Sequence, residues 1–322
     1  MTEPVAVHPL VSPWGRFGLY SFFIDAPEPA IVDTGIASSP AQGMAPALEA
    51  IGRKIEDVRW ILLTHGHIDH IGGAYALWEL TGRRAKVVIH EADAPMLRSR
   101  RAHVDEYLAG RAQYLNDPDG EAKLTEATNA VISGEMEPTL LVRGGETISL
   151  GGDFTVTVHS IPGHTRGSVA YVINGQNDVF VGDAVQIHGA ANGFPGFVDP
   201  AGYRASLQYL RDQIRPRHLY LGHPYRRADG TPYGVELDAG QAEEALQGSL
   251  EIEARVNTAA HDCWAAGLQE SDSPYSPFAR VAEELGYEEN PALEPSPFFT
   301  TLNGYRSTFD HTTEDEEINT HG

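Results

Sequence analysis

Thr64-His65-Gly66-His67-Ile68-Asp69-His70-Ile71-Gly72-Gly73 is the most informative segment of this 322-residue chain. Three imidazoles and a carboxylate fall within six positions, directly after the mostly apolar run of residues 58–63. Neutral imidazole and carboxylate are the usual ligands of zinc and of similar divalent cations. A strand that ends in a tight turn at Gly66, before the start of a helix, brings such side chains to one point. The segment therefore predicts a metal site at the end of a strand.

This segment resembles the His-x-His-x-Asp-His signature of the metallo-β-lactamase superfamily, and the other landmarks of that pattern are found along the chain. They are Asp33 in Ile31-Val32-Asp33-Thr34-Gly35, His164 in Pro162-Gly163-His164, Asp183 in Val181-Gly182-Asp183 and His223 in Leu221-Gly222-His223. Each of these residues follows an apolar, strand-like run. The resemblance covers about two thirds of the chain, from residue 17 to residue 225.

The order of strand and helix patterns up to residue 90 predicts layered α/β packing. The resemblance makes this fold more specific, because it implies a four-layer αββα sandwich of the metallo-β-lactamase type. Further helices are predicted over residues 96–108, 202–214 and 237–268, the last as one helix or two.

The resemblance also implies two cations, each held by three protein ligands and joined by a bridging carboxylate. The first set is His65, His67 and His164; the second is Asp69, His70 and His223; the bridge is Asp183. Two cations ~3.5–4 Å apart share a hydroxide that is nucleophilic near neutral pH. Asp69 can also pass a proton to the leaving group, so Asp69 and Asp183 are the candidate catalytic residues. We expect zinc, with manganese or iron as alternatives, because all three accept these ligands.

Asp33 has a different expected role, since the resemblance places it beside the ligands and not on a cation. There its carboxylate would orient the residues of the metal loop. The alternative is an ordinary turn aspartate before Thr34-Gly35.

Composition restricts the class of partner. The formal net charge is −22, and such an acidic surface repels phosphate backbones and anionic membranes, so we expect a small-molecule substrate and neither nucleic acid nor membrane. One cysteine, Cys263, excludes an intrachain disulfide. Residues 1–4 lack the basic and apolar regions of a signal peptide, and no apolar run approaches the ~20 residues that span a bilayer. We therefore expect a cytoplasmic protein.

The chain divides into a catalytic domain and an extension. Residues 1–234 are predicted to form the catalytic domain, with a helical insertion at residues 91–140 that either pads a connection or caps the metal site. Residues 235–311 are predicted to form a mostly helical extension that packs on the core or on a second subunit. We expect a homo-oligomer, or a hetero-oligomer formed through this extension. The acidic residues 312–322 are predicted to be disordered.

The loop of residues 185–200 directly follows the predicted bridging ligand, so it is expected at the pocket mouth. Candidate substrate contacts on this loop and after the last ligand are Gln186, His188, Phe194, Phe197 and Tyr225. The two phenylalanines favour an apolar substrate. Many lactonases of the superfamily place a tyrosine shortly after the bridging aspartate; here Gln186 occupies that neighbourhood, with His188 following, and Tyr225 could supply such a hydroxyl from another direction.

The leading functional hypothesis is a metal-dependent hydrolase of a small uncharged lactone, resembling the acyl-homoserine-lactone hydrolases, or of another carboxylic ester. Alternatives within hydrolysis are a thioester and an activated aryl ether. True β-lactamases of this fold carry Cys or Ser where Asp183 stands, so this branch is disfavoured. A mononuclear iron oxygenase is disfavoured by the complete second ligand set. A non-catalytic partner subunit is disfavoured because no ligand is missing.

Overall fold

Two six-stranded sheets form the centre of the computed structural model, which describes residues 4–15, 17–189, 194–287 and 296–319. The strands of the first sheet are β1 (Val7–Trp14), β2 (Phe17–Ile24), β3 (Ala30–Val32), β4 (Trp60–Leu62), β5 (Lys86–His90) and β6 (Leu140–Val142). They lie side by side in chain order, antiparallel from β1 to β3 and parallel from β3 to β6. Strand β4 is apolar throughout because both of its faces are buried.

The second sheet is mostly antiparallel. Its strands are β7 (Thr147–Ser149), β8 (Thr155–Ser160), β9 (Val169–Ile173), β10 (Asp178–Gly182), β11 (His218–Leu221) and β12 (Glu236–Asp238). Their order across the sheet is β12-β11-β10-β9-β8-β7, and β10 and β11 form its parallel pair. Strand β12 lies beyond residue 234, so the predicted end of the catalytic domain is too early and excludes an edge strand of the sheet.

The α-helices of the described residues include those that cover the outer faces of both sheets. They are α1 (Ala45–Ala50), α2 (Ile68–Ile71), α3 (Ala74–Leu80), α4 (Ala94–Arg98), α5 (Arg100–Gly110), α6 (Gly120–Val131), α7 (Pro200–Tyr209), α8 (Ala239–Ala265), α9 (Ala279–Leu285) and α10 (Ser296–Asn319). Short 3-10 or π-helical segments lie at Pro40–Met44, Ile55–Asp57, Ala112–Tyr114 and Leu210–Ile214.

Local capping explains where the observed helices differ from the predicted ones. The helix predicted over residues 96–108 is divided at Ser99, which is extended at φ −149° and whose side chain accepts from the backbone N of Arg101. The region 237–268 contains one long helix, and its first residue follows a capping box made by Asp238 and Gln241. Side-chain caps therefore set boundaries that apolar periodicity alone does not show.

Three apolar layers hold the architecture together. Between the sheets, the rings of Phe22, Phe180 and Tyr220 lie with centroids 4.6–5.6 Å apart. The outer face of the first sheet packs on α1 and α3, and that of the second packs on α7 to α10. The order helix, sheet, sheet, helix confirms the predicted four-layer sandwich.

The C-terminal helices pack on the catalytic core. Residues of α8, α9 and α10 share one apolar cluster with strands β10 and β11. Glu253 on α8 is 1% exposed, and its carboxylate accepts from Arg204 Nε at 2.5 Å and from the Tyr305 hydroxyl at 2.7 Å. Because these partners lie on α7 and α10, one buried carboxylate joins three helices.

Residues 91–140 contain helices α4, α5 and α6, and Tyr114 of this segment contacts the C-terminal helix α10. The Tyr114 ring stacks on Phe299 at 5.1 Å, and its hydroxyl donates to Asn303 Oδ1 at 2.9 Å. The predicted disorder of residues 312–322 is not observed for residues 312–319, which continue α10. They contain no proline or glycine and include glutamates, which favour a helix; residues 320–322 lie outside the described part.

No helix within the described ranges is both long enough and apolar enough to span a membrane.

Candidate metal centre

The predicted ligands meet at the edge where strands of both sheets end. Those from the first sheet are His65 and His67, in the turn after β4, and Asp69 and His70, in α2; those from the second are His164, after β8, Asp183, after β10, and His223, after β11. The structure therefore brings together side chains that are far apart in the sequence.

Two glycines allow the strand ends to approach this closely. Gly182 has φ +51°, and a Cβ there would overlap the Thr64 side chain. A Cβ on Gly222 would overlap the Asp183 carboxylate and lie 2.8 Å from His70 Cε1. Any larger residue would push the ligand loops apart.

The first triad consists of His65, His67 and His164, whose ligand nitrogens all lie within 4.8 Å of one another. His164 Nε2 lies 2.8 Å from His67 Nδ1. Burial lowers the pKa of His67 and of His164 to about 4 in each case. Both rings are therefore neutral at pH 7, the form in which imidazole binds a metal.

The second triad consists of Asp69, His70 and His223, again within 4.8 Å. Asp69 Oδ2 lies 3.1 Å from His223 Nε2. Burial lowers the pKa of His70, but the nearby carboxylates, with Asp183 foremost, outweigh it and the net pKa is raised well above its ordinary value. Cation binding at this triad therefore competes with a proton.

Asp183 lies between the two triads. Its Oδ1 is 3.3 Å from His70 Nε2, and its Oδ2 is 3.5 Å from His223 Nε2 and 3.8 Å from His164 Nε2. One carboxylate thus faces nitrogens of both sets, which is the position that a bridging ligand requires.

Three buried atoms test whether a metal fits here. His65 Nε2, His70 Nε2 and Asp183 Oδ1 have no hydrogen-bond partner among the described residues. An unsatisfied buried polar atom costs ~1–3 kcal/mol; His70 Nε2 and Asp183 Oδ1 face each other at 3.3 Å without a well-aligned hydrogen bond, and His65 Nε2 has no partner at all among the described residues. The residues present therefore fit a metal centre.

Asp33 contacts one ligand, His70, and Thr64, which begins the turn that carries two others. Its Oδ2 accepts from His70 Nδ1 and from Thr64 Oγ1, each at 2.8 Å, and its Oδ1 accepts from the Thr64 backbone N at 2.8 Å. The residue has φ +57°, a left-handed conformation that aspartate tolerates better than most side chains. These contacts direct His70 Nε2 toward Asp183.

A family model described as the metallo-beta-lactamase superfamily matches residues 15–223. The chain belongs to the metallo-β-lactamase superfamily. The matched range contains both triads, Asp33 and Asp183, so the resemblance given by the sequence motifs is confirmed.

Similar proteins of this superfamily include named hydrolases. A hydroxyacylglutathione hydrolase of Hyphomonas neptunium is 36% identical over 126 residues, covering 37% of this chain and 48% of that protein. A probable metallo-hydrolase of Mycobacterium tuberculosis is 29% identical over 225 residues, covering 67% of this chain and 62% of that protein. The matched part of the chain thus spans about half of the first relative and less than two thirds of the second.

A solved metallo-beta-lactamase family protein from Thermus thermophilus superposes with a TM-score of 0.62 at 21% identity. The superposition covers 89% of this chain and 92% of that one. It supports the fold and extends beyond residue 223 into the C-terminal helices.

Asp93 is a feature of this superfamily member that the sequence analysis missed. Its Oδ2 accepts from Gly66 N at 2.8 Å and from Thr165 Oγ1 at 2.7 Å, and its Oδ1 accepts from Gly167 N at 2.8 Å. Burial raises the pKa of this carboxyl, against the effect of its hydrogen bonds. Asp93 therefore ties the loop that carries His65 and His67 to the loop that carries His164. Its position just after β5, like that of Asp33 after β3, was the available signal.

Gln186 supports a ligand and does not face a substrate. Its side chain is buried; Nε2 donates to the carbonyls of Asp183 and Gly196 at 2.7 and 2.9 Å, and Oε1 accepts from Gly196 N at 2.7 Å. The Gly196 carbonyl also accepts from His164 Nδ1 at 2.6 Å. The prediction that Gln186 contacts the substrate is therefore wrong, because backbone groups take up the hydrogen bonds of its side-chain amide.

The prediction that the two phenylalanines of this loop contact the substrate is also wrong. Phe194 and Phe197 are 3% and 0% exposed. Phe194 packs on Phe298 at 5.0 Å, and Phe197 stacks on Tyr203 at 4.3 Å. The helices that cover this loop leave neither ring open to a substrate.

The remaining predicted contacts are Tyr225 and His188. Tyr225 is buried, its ring lies 5.9 Å from the His223 ring, and its hydroxyl has no hydrogen-bond partner among the described residues. His188 is half-buried, and its backbone N lies 3.5 Å from the Arg226 carbonyl. Tyr225 is therefore placed beside the metal centre, while a substrate contact of His188 stays a prediction.

Proposed function

We propose that the chain is a hydrolase that uses two divalent cations to cleave the acyl bond of a small thioester or ester. The observation that carries this proposal is the carboxylate of Asp183, which faces nitrogens of two complete triads at 3.3–3.8 Å. A site for a single cation needs neither the second triad nor the shared carboxylate. Zinc is the expected metal, with manganese or iron as alternatives.

When bound, the two cations supply a water of lowered pKa and polarise the carbonyl that is attacked. Asp69 is proposed to move the proton, because its side chain is 20% exposed and lies at the edge of the second triad. Burial raises the pKa of Asp69, but His70 and His223 outweigh it and hold the pKa below its ordinary value. The carboxylate is therefore ionised and able to accept a proton destined for the leaving group.

Tyr225 is proposed to bind the substrate. Burial, together with the Asp183 carboxylate, raises the pKa of its hydroxyl well above the ordinary value. The hydroxyl is thus a protonated donor that faces the Asp183 carboxylate without forming a well-aligned hydrogen bond to it. A carbonyl or leaving-group oxygen of the substrate would satisfy it.

Two acyl substrates follow from different observations. The name of the Hyphomonas relative favours a thioester, since that relative acts on hydroxyacylglutathione. The Tyr225 hydroxyl beside Asp183 favours a lactone, because it can supply the donor that the position of Gln186 lacks. The net charge of −22 supports a small molecule and disfavours nucleic acid or an anionic membrane as partner. We further propose that the protein is cytoplasmic and forms an oligomer.

Acid release from both substrates tests the proposed function directly. The purified zinc-loaded chain is mixed in weak buffer with a hydroxyacylglutathione thioester or with an acyl-homoserine lactone, since hydrolysis of either liberates a carboxylic acid. We expect a kcat/KM of about 10⁴ M⁻¹s⁻¹ or more on at least one of them, lost on chelation and restored by zinc.

The two substrates serve as each other's control in this assay. A preference for the thioester supports the reaction of the named relative, and a preference for the lactone supports the lactonase alternative. Zinc-loaded protein that releases no acid from either substrate, or from a simple aryl ester, would rule out the proposed function.

A further inference from the structure

The C-terminal helix α10 is hydrogen-bonded to the loop that supports His164. Thr301 on α10 is 0% exposed. Its hydroxyl donates to the Pro195 carbonyl at 2.8 Å and accepts from the Phe197 backbone N at 3.0 Å. One side chain of the helix therefore holds the backbone on both sides of Gly196.

Gly196 links the helix to the metal centre through a hydrogen bond with a predicted ligand. Its carbonyl accepts from His164 Nδ1 at 2.6 Å. A histidine that donates through Nδ1 presents the lone pair of Nε2, the nitrogen that faces His67 and Asp183. The carbonyl can only accept, so it selects the tautomer, and together with Gln186 Nε2, which lies 2.7 Å from the same Nδ1, it sets the direction of a predicted ligand.

The helix and the loop also fit closely. A Cβ on Gly304 would lie 2.7 Å from the Val198 carbonyl oxygen, and a Cβ on Gly196 would lie 3.3 Å from Pro297 Cβ. A methyl group on Gly304 would force the helix and the loop apart, and one on Gly196 would press on Pro297. The loop therefore cannot move toward the helix without displacing it.

We propose that Thr301 is a positioning residue of the metal centre, which fixes the Gly196 carbonyl and through it the orientation of His164. This inference rests on the proposed two-cation site. It gives the C-terminal extension a role in metal binding, although the helix supplies no ligand. The hydroxyl cannot be replaced by a methyl group, since both the Pro195 carbonyl and the Phe197 N–H would then be buried without a partner.

The test measures zinc affinity in the full-length chain by competition with a chromophoric chelator. Loss of a residue that hydrogen-bonds a metal ligand typically lowers metal affinity by ~10–100-fold. Thr301 contacts a ligand only through Gly196, so Thr301→Val should weaken the binding of one of the two cations by roughly 10-fold. Thr301→Ser restores the hydroxyl and should remain within about threefold of the wild type. The absorption spectrum of the cobalt-loaded chain should change in Thr301→Val and not in Thr301→Ser.

Thr258→Val is the matched control, because this exposed threonine of α8 bonds to the Ala254 carbonyl of its own helix. Equal zinc affinity in Thr301→Val and Thr258→Val would overturn the inference, even where Thr301→Val is less stable. If Thr301→Val does not fold, Gly304→Ala displaces α10 while keeping the hydroxyl, and unchanged affinity in that variant overturns the inference. A wild-type chain that binds fewer than two cations contradicts the proposed function instead.

Discussion

Replacing Asp183 by alanine lowers kcat/KM by about 1000-fold or more and removes at least one cation. The carboxylate faces His70, His164 and His223 from between the triads, so its loss leaves both cations without a shared ligand and their positive charges uncompensated. A 1000-fold loss corresponds to about 4 kcal/mol of transition-state stabilisation. Steady-state hydrolysis, together with elemental analysis of the same sample, measures both effects.

Asp212→Ala is the control for this substitution. Asp212 is an exposed aspartate paired with Arg211, and a surface change of this kind alters stability by ~0.5 kcal/mol or less. Its turnover and metal content should equal those of the wild type. Normal turnover in Asp183→Ala would refute the bridging role.

Asp93→Asn destabilises the chain by ~1–3 kcal/mol and weakens cation binding, because the unpaired donor outweighs the relief of burying a neutral group. The carboxylate accepts from Gly66 N, Thr165 Oγ1 and Gly167 N. An asparagine amide must turn its NH₂ group toward at least one N–H, so that donor stays buried and unsatisfied, at a cost of ~1–3 kcal/mol, on top of the weaker neutral hydrogen bonds. Denaturant unfolding of the metal-free chain and chelator competition measure the two effects separately.

Asp178→Asn is the control for this substitution. It shows how much stability the chain loses when a buried aspartate far from the metal centre is replaced by asparagine. Asp178 is also 5% exposed and bonds to His218 Nδ1 at 2.8 Å, but it lies at the start of β10, whereas the ligand Asp183 follows the end of that strand. Both variants should lose stability, and Asp93→Asn alone should bind zinc more weakly. Equal zinc affinity in the two variants would mean that Asp93 has a structural role only.

The sequence was sufficient for the fold class and for the grouping of the ligands, because both depend on local patterns. Short apolar runs that end in His65, Asp183 or His223 place those residues at strand ends. The order of ligands in the superfamily then shows which of them belong to the same triad, which periodicity alone cannot. The helix boundary at Ser99 was missed because apolar periodicity continues across it, while a side-chain cap interrupts the backbone.

The surroundings of the ligands could not be predicted in the same way. Asp93 reaches Thr165 and Gly167 across more than 70 residues of chain, and no local pattern marks such a partner. Phe197 next to a metal loop has the same appearance in the sequence whether it faces a substrate or a covering helix. The contact of Thr301 with the loop at Gly196 depends on how α10 docks, which follows from packing in three dimensions.

The most direct test of the central claim is the number of zinc ions per chain. The full-length protein is stripped with a chelator, reconstituted with excess zinc, freed of unbound metal and analysed for zinc against protein concentration. We expect two zinc ions per chain, since two complete triads share Asp183. A value of one, or none, would contradict the account of a two-cation hydrolase.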